Sequence, residues 1–314
     1  MTTSRPQFLY RYRRFSDATL DSLCNDTLYF ANPATFNDPL DCKPVLVADS
    51  STNILRSLLQ EMVTRRISSE ILDSLTRARV RGARAEGHAD KFARREADRI
   101  LADITYHSTN PDYQMSRATA ERWLLTQRLQ EELEGNYERG VCCFSTVHKN
   151  PLLWSHYGDK HRGICLGYDL NRAPQPMPHK VIYGQNRLTN TSTLAAAILD
   201  GNKDARQQLD YEVLLRKAPS WRYEREWRLF GQKGLQDSPL RLRSVTFGLR
   251  CPISVIHTVV KVLQDRGQPV KFYEIYSVHG SYKLARRQSD LDEMNLYFPK
   301  TSESPEEMFD AFDD

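Results

Sequence analysis

Hydrophobic and polar positions alternate in short bursts at both ends of this chain and recur at helical spacing between them. Phe8-Leu9-Tyr10-Arg11-Tyr12 reads as an opening strand. Ser16-Asp17 offers an N-cap for a short helix through Leu23, and Asn25-Asp26 turns the chain into a strand at Thr27–Phe30. Asn32-Pro33 and Asn37-Asp38-Pro39 mark a loop dense in turn residues. From about Thr52 to Tyr137 the period changes: Ile54, Leu55, Leu58, Leu59 and Met62, then Ile71, Leu72 and Leu75, then Leu125, Leu129 and Leu133 predict helices. Strand-like sequence returns at Gly140–Ser145, Gly163–Tyr168 and His179–Tyr183, and Thr193–Lys217 reads as helix. Arg241–Phe247 alternates as a strand with one buried face. Pro252–Gln264 reads as a helix with proline in its first turn, followed by strands at Val270–Val278 and Ser281–Ala285. From Ser289 onward nine acidic residues face one lysine, Lys300, which predicts a mobile tail.

The expected architecture is a single α+β domain over 1–288, with a mixed, mainly antiparallel split sheet, a helical insertion at about 52–137 and an acidic tail at 289–314. No internal repeat is visible. The chain has 314 residues, 40% hydrophobic and 27% charged, with net charge +4, ordinary for a globular protein that tolerates an anionic partner without requiring one. Six cysteines at 24, 42, 142, 143, 165 and 251 form no CxxC pair, so reduced, mostly buried thiols are expected. A short polar N-terminus, and no apolar run near the roughly 18 residues of a membrane span, predict a soluble cytoplasmic protein without membrane contact. Between Arg65 and Arg99 lie ten basic and six acidic residues. That excess is small and lacks interleaved aromatics, so a charge-laced exposed helix pair is favoured over a nucleic-acid surface, which stays open as a second use.

The densest chemistry lies at Trp221-Arg222-Tyr223-Glu224-Arg225-Glu226-Trp227-Arg228. Read as a strand, this stretch projects Glu224 and Glu226 from one face and Tyr223, Arg225 and Trp227 from the other. Tyr10, Arg11, Tyr12, Asn37, Asp38, Trp154, Ser155, His156 and Tyr157 add aromatic and polar groups of the kind that clamp a flat or sugar-containing ligand. The alternative is a set of amphipathic aromatics at sheet margins. Cys142 or Cys143 with His148, His156 or His161 would make a nucleophile and base, but a buried cysteine pair on a core strand is the simpler reading. His156 and His161 are five apart with Asp159 between, which does not share a helix face, and no metal site is expected. Glycine-rich phosphate loops are absent from the sequence.

In order, Leu9-Tyr10-Arg11-Tyr12, Phe36-Asn37-Asp38-Pro39-Leu40-Asp41, Cys143-Phe144-Ser145, Leu153–Tyr168, Lys217, Trp221 and Tyr223–Arg228 resemble the bacterial "domain of unknown function 2971" family, from about residue 8 to 285. The opening strand, short helix and second strand, with Glu224-Arg225-Glu226 late in the chain, more distantly resemble the ADP-ribosyltransferase superfamily. Phe30-Ala31-Asn32-Pro33 stands where that superfamily carries a Ser-Thr-Ser type motif. This second resemblance implies an enzyme that uses NAD to modify a protein or nucleic acid, such as a toxin or a phage-defence or stress effector. It implies Glu226 as the catalytic acid, Glu224 as the group that positions the nucleophile, and Arg11 as the holder of the NAD ribose or phosphate. Tyr10, Tyr12, Asn37, Asp38, Trp154, Tyr157 and His161 would complete the NAD site, with Tyr12, Tyr29 or Trp154 stacking nicotinamide. A carboxylate near the ribose would stabilise the oxocarbenium-like charge that develops as nicotinamide leaves. The alternative is a non-catalytic nucleotide- or peptide-binding module, in which the two acids are structural or contact the ligand, with the acidic tail docking on a partner or on the basic insertion.

Overall fold

β1 (Phe8–Arg13) leads into α1 (Asp17–Cys24), which Ser16 caps by accepting from the Thr19 amide, in a computed structural model that describes residues 5–80 and 82–291. β2 (Thr27–Phe30) and β3 (Val45–Val47) precede the helical excursion of α2 (Thr52–Arg77), α3 (Ala83–His107) and α4 (Arg117–Asn136). Sheet resumes at β4 (Gly140–Ser145), followed by α5 (Pro151–His156), β5 (Ile164–Asp169) and the short strands β6 (His179–Lys180), β7 (Ile182–Tyr183) and β8 (Leu188–Asn190). Then come α6 (Thr191–Ile198), α7 (Lys203–Leu214), β9 (Arg216–Lys217), β10 (Glu226–Gly231) and β11 (Gly234–Asp237). β12 (Arg241–Phe247), α8 (Ile253–Gln264), β13 (Lys271–Ser277) and β14 (Leu284–Gln288) close the described chain.

The fold is α+β. Among the described residues eight strands form one sheet in the order β14-β13-β12-β5-β1-β4-β10-β6, in which only β12 and β13 are parallel. Parallel neighbours need a crossover, which α8 supplies. β1 pairs along its length with β5 but touches β4 only at Tyr10 opposite Ser145, so the sheet parts between β1 and β4.

Strand parity sorts the side chains. Leu9, Phe144, Leu166, Val245, Trp227 and Leu229 face one side and form a core with α1 and α8. Tyr12 and Cys165 face the other side, where Leu153 and Trp154 of α5 cover them. Further along that second side the three long helices, α6 and α7 build a separate apolar cluster. Ala89, Ala93 and Ala97 of α3 recur every four residues and are buried, which lets α3 approach α2 closely. Some charges of this excursion are matched within it: Arg66 pairs with Glu70 and Glu132, Arg94 with Asp90, and Arg99 with Glu96.

Several expectations are corrected. The helix expected over 193–217 breaks at Gly201-Asn202, where Asn202 caps α7, and ends in the two-residue β9. The strand expected over 179–183 is interrupted at Val181, whose amide donates to the Glu226 carbonyl. The acidic stretch from 292 onward lies outside the described residues. Among those described, no helix is long and apolar enough to cross a membrane.

Candidate functional site

Trp221 to Phe230 is not one strand. Pro219 opens a 3-10 helix over Pro219–Glu224, Arg225 takes a left-handed conformation with φ 46°, and only from Glu226 does the chain run as β10. Glu224 and Glu226 therefore do not share a strand face by period two. They meet because the left-handed turn at Arg225 swings the end of the 3-10 helix back beside the strand. Ser145 secures the junction by donating its hydroxyl to the Glu224 carbonyl at 2.5 Å, and the Glu226 amide donates to the Tyr183 hydroxyl at 2.9 Å.

Both carboxylates converge on Lys217, placed by β9 alongside β7. Its ammonium donates to Glu224 Oε2 at 2.6 Å and Glu226 Oε2 at 2.8 Å, and lies 3.3 Å from Asp41 Oδ2. Arg228, two residues along β10 from Glu226 and so on the same face, forks between Glu226 Oε1 (2.7 Å) and Asp41 Oδ2 (2.7 Å). Its remaining donors reach the Leu214 carbonyl at 2.8 Å and Cys42 Sγ at 3.0 Å. Asp41 is set by the turn before it, where Asp38 accepts from the Leu40 amide through its side chain and from the Asp41 amide through its carbonyl. Phe36 lies under the guanidinium and Trp221 under the ammonium. Arg228 is 0% exposed and Glu226 4%.

Three buried carboxylates thus share two cations, and the electrostatics are uneven. Burial alone would raise the Glu226 carboxyl, but Arg228 and Lys217 outweigh it and hold it down at about 2. Glu224 moves the other way: burial, with the nearby Glu226 charge, raises it despite Lys217 and the Tyr157 hydroxyl, which donates to Glu224 Oε1 at 2.8 Å. Burial by itself would lower the Lys217 ammonium, yet Glu226, Asp41 and Glu224 keep it firmly charged.

In front of Glu226 opens a cleft of ≈ 1410 Å³ between β6, β7, the 3-10 helix and the segment before β1. Arg5, Lys180, Arg222 and Arg225 line it together with Tyr183, Tyr223 and Trp227. All four cations are exposed, and none of their side chains has a hydrogen-bond or ion-pair partner among the described residues.

Of the residues proposed from sequence, Glu224, Glu226 and Tyr157 come together, and the Asn37 side chain lies beside the Tyr157 hydroxyl. Asp38 shapes the turn that aims Asp41. Arg11 does not join them. Glu226, Ser145 and Tyr10 occupy one cross-strand row, so Arg11, one residue on, projects to the opposite side of the sheet, over Phe144 and onto the Tyr29 carbonyl. Tyr29 shares that side in β2 and is likewise away from the acids. Tyr12 is buried with its hydroxyl on the Val147 carbonyl, and Tyr10 packs against His148. Trp154, 0% exposed, donates to the His148 carbonyl and stacks on His161, so it is a packing element and offers no open face to a ring. His161 belongs to a left-handed turn with Asp159 and Lys160. Burial and the nearby Arg250 lower its imidazole. Cys142 and Cys143 point to opposite sides of β4, and burial raises both thiols, which leaves them poor nucleophiles. All six cysteines are free.

Sequence reasoning passed over Asp41, Lys217 and Arg228 as site residues. The signal for Arg228 was present, since it stands two residues from Glu226 on one strand. Lys217 and Asp41 stood in the family-like motifs, but no periodicity or spacing joins them to the acids, because only tertiary contacts bring them in. No curated protein and no solved structure matches the chain. The model of the family described as "Protein of unknown function (DUF2971)" matches residues 153–229, the stretch that supplies Tyr157, Lys217, Glu224, Glu226 and Arg228.

Proposed function

We propose that the protein binds a phosphate-bearing ligand of nucleotide type in the cleft in front of Glu226. The observation that carries this reading is the gathering of Arg5, Lys180, Arg222 and Arg225, all without partners among the described residues, around one concavity that also presents Tyr183 and Tyr223. Arginine forks match phosphate oxygens, and an aromatic face suits a base. The buried network behind the cleft makes the wall rigid: Glu226 is saturated by Lys217 and Arg228, and Arg225, its neighbour, is held by a backbone turn.

A second reading, a transferase that consumes NAD, is favoured by one feature. Glu224 keeps a raised carboxyl on a Tyr157 hydroxyl, and groups perturbed in this way recur at catalytic sites. Against it stand the ion pairs that occupy Glu226 and the placement of Arg11 across the sheet.

Thermal unfolding with ADP, NAD or inorganic phosphate tests both. A nucleotide at about 100 times its Kd stabilises the fold by about 2.7 kcal/mol. ADP and NAD should raise Tm, Arg222→Glu should abolish the shift, and Arg11→Ala should leave it unchanged. Absence of any shift with either nucleotide overturns the binding reading. Release of nicotinamide from NAD, lost in Glu224→Gln, would establish the transferase.

A further inference from the structure

We infer that the ligand is a single strand of nucleic acid that leaves the cleft, crosses the short edge strand β6 and enters a second cavity beyond it. This deepens the nucleotide reading and rests on it. The second cavity has a volume of ≈ 580 Å³, and Arg139, Lys203, Arg206 and Phe230 line it. Met177, His179 and Leu215 line both cavities, so the wall between them is no thicker than β6 and the residues before it. That wall is low. β6 is two residues long, ends the sheet, and carries Met177 at 75% exposure just before it.

A mononucleotide has no reason to span this path, whereas a chain of phosphates has cations on both sides of the ridge. Arg5, Lys180, Arg222 and Arg225 stand in the first cavity and Lys203 in the second. Arg139 and Arg206 already pair with Asp210, at 2.9 and 3.9 Å, so Lys203 is the far cavity's available charge. Ring surfaces punctuate the route: Tyr183 and Tyr223 in the first cavity, and His179 stacked on Phe230 at the ridge, centroids 4.8 Å apart and 11° from parallel. A positive groove tracking a backbone beside aromatic platforms is the recognition mode of single strands. A duplex holds its bases stacked inside and offers them no face.

Fluorescence anisotropy with labelled oligothymidylates of about 4 and about 16 nucleotides, within the footprints single-strand grooves take, tests this on the full chain, with dTMP as competitor. The longer strand should bind at least about tenfold more tightly than the shorter one and than dTMP. Its affinity should fall with salt at a log–log slope near −3, which corresponds to about four phosphate contacts at roughly 0.7 each. Lys203→Glu, at an exposed first helical position outside the Asn202 cap bonds, should weaken the long strand about fivefold or more and leave dTMP unchanged. Tyr223→Ala should weaken both about tenfold, with circular dichroism verifying that each variant is folded. If the long strand binds no better than dTMP, or Lys203→Glu leaves it unaffected, the extended path is wrong while the nucleotide cleft survives. If neither dTMP nor any strand binds, both readings fall. Equal binding of a duplex, or displacement by polyglutamate at matched charge, overturns the single-strand assignment.

Discussion

Replacing Lys217 by methionine isolates what holds the candidate site together. The side chain keeps its length and apolar stem, and only the ammonium is lost. In the wild type that ammonium lies 2.6, 2.8 and 3.3 Å from carboxylate oxygens of Glu224, Glu226 and Asp41. Without it three buried carboxylates face Arg228 alone, and Arg228 does not bond Glu224. Removing one member of a buried ion pair costs about 3–5 kcal/mol, because the partner stays buried without compensation. The cost has a pH signature. Glu224 already has a raised carboxyl, and losing its cation raises it further. The unfolded chain then holds less proton than the folded one, so the variant's deficit is largest in alkali and shrinks as the pH falls and Glu224 takes a proton. Urea unfolding followed by tryptophan fluorescence at about pH 5 and about pH 8 measures both effects. Adding Glu224→Gln to Lys217→Met should return more than about 1 kcal/mol at the higher pH, by removing the stranded charge. A loss below about 1 kcal/mol for the single variant, or one that neither the pH nor the second substitution moves, refutes the view that this network is mutually dependent.

Three further outcomes follow from the same geometry. Glu226 is held at about 2 against an ordinary 4.5, so its stabilising contribution is complete above 4.5 and disappears as the pH falls through 2. At about 1.4 kcal/mol per pH unit that difference amounts to about 3 kcal/mol, and acid titrations of stability should show it in the wild type and lose it in Glu226→Gln. Arg228→Lys should cost about 2 kcal/mol or more in urea unfolding despite the kept charge, because three donors on one nitrogen cannot replace a guanidinium that reaches Glu226, Asp41, the Leu214 carbonyl and Cys42 Sγ from three separate nitrogens. Gly163→Ala should lower stability by about 3 kcal/mol. A Cβ there would lie 2.2 Å from the Arg13 carbonyl oxygen, a backbone atom that cannot swing aside, and a Tm equal to wild type would show that the two strands do not approach as described.

Much of the element list was legible from residue order. Thr27–Phe30, Gly140–Ser145 and Arg241–Phe247 read as strands and are strands, because alternation or turn-bounded β-prone runs act within a few residues. The Ser16 cap was visible for the same local reason. The stretch before β10 misled, since alternating aromatic and charged residues mimic a strand, whereas Pro219 and the left-handed Arg225 impose a helical turn. Residue order also singled out Glu224, Glu226 and Tyr157, but it set Arg11 opposite them. Which side of a sheet a residue occupies depends on pairing with a strand more than a hundred positions away, and one step along β1 separates Tyr10 from Arg11. The sequence by itself therefore determined where most strands and helices form and which residue types are available for chemistry. The tertiary structure alone decided that Lys217 and Arg228 neutralise the paired acids together with Asp41, and that cations without partners among the described residues ring the neighbouring cleft. Charge complementarity acts through space between segments that no periodicity connects.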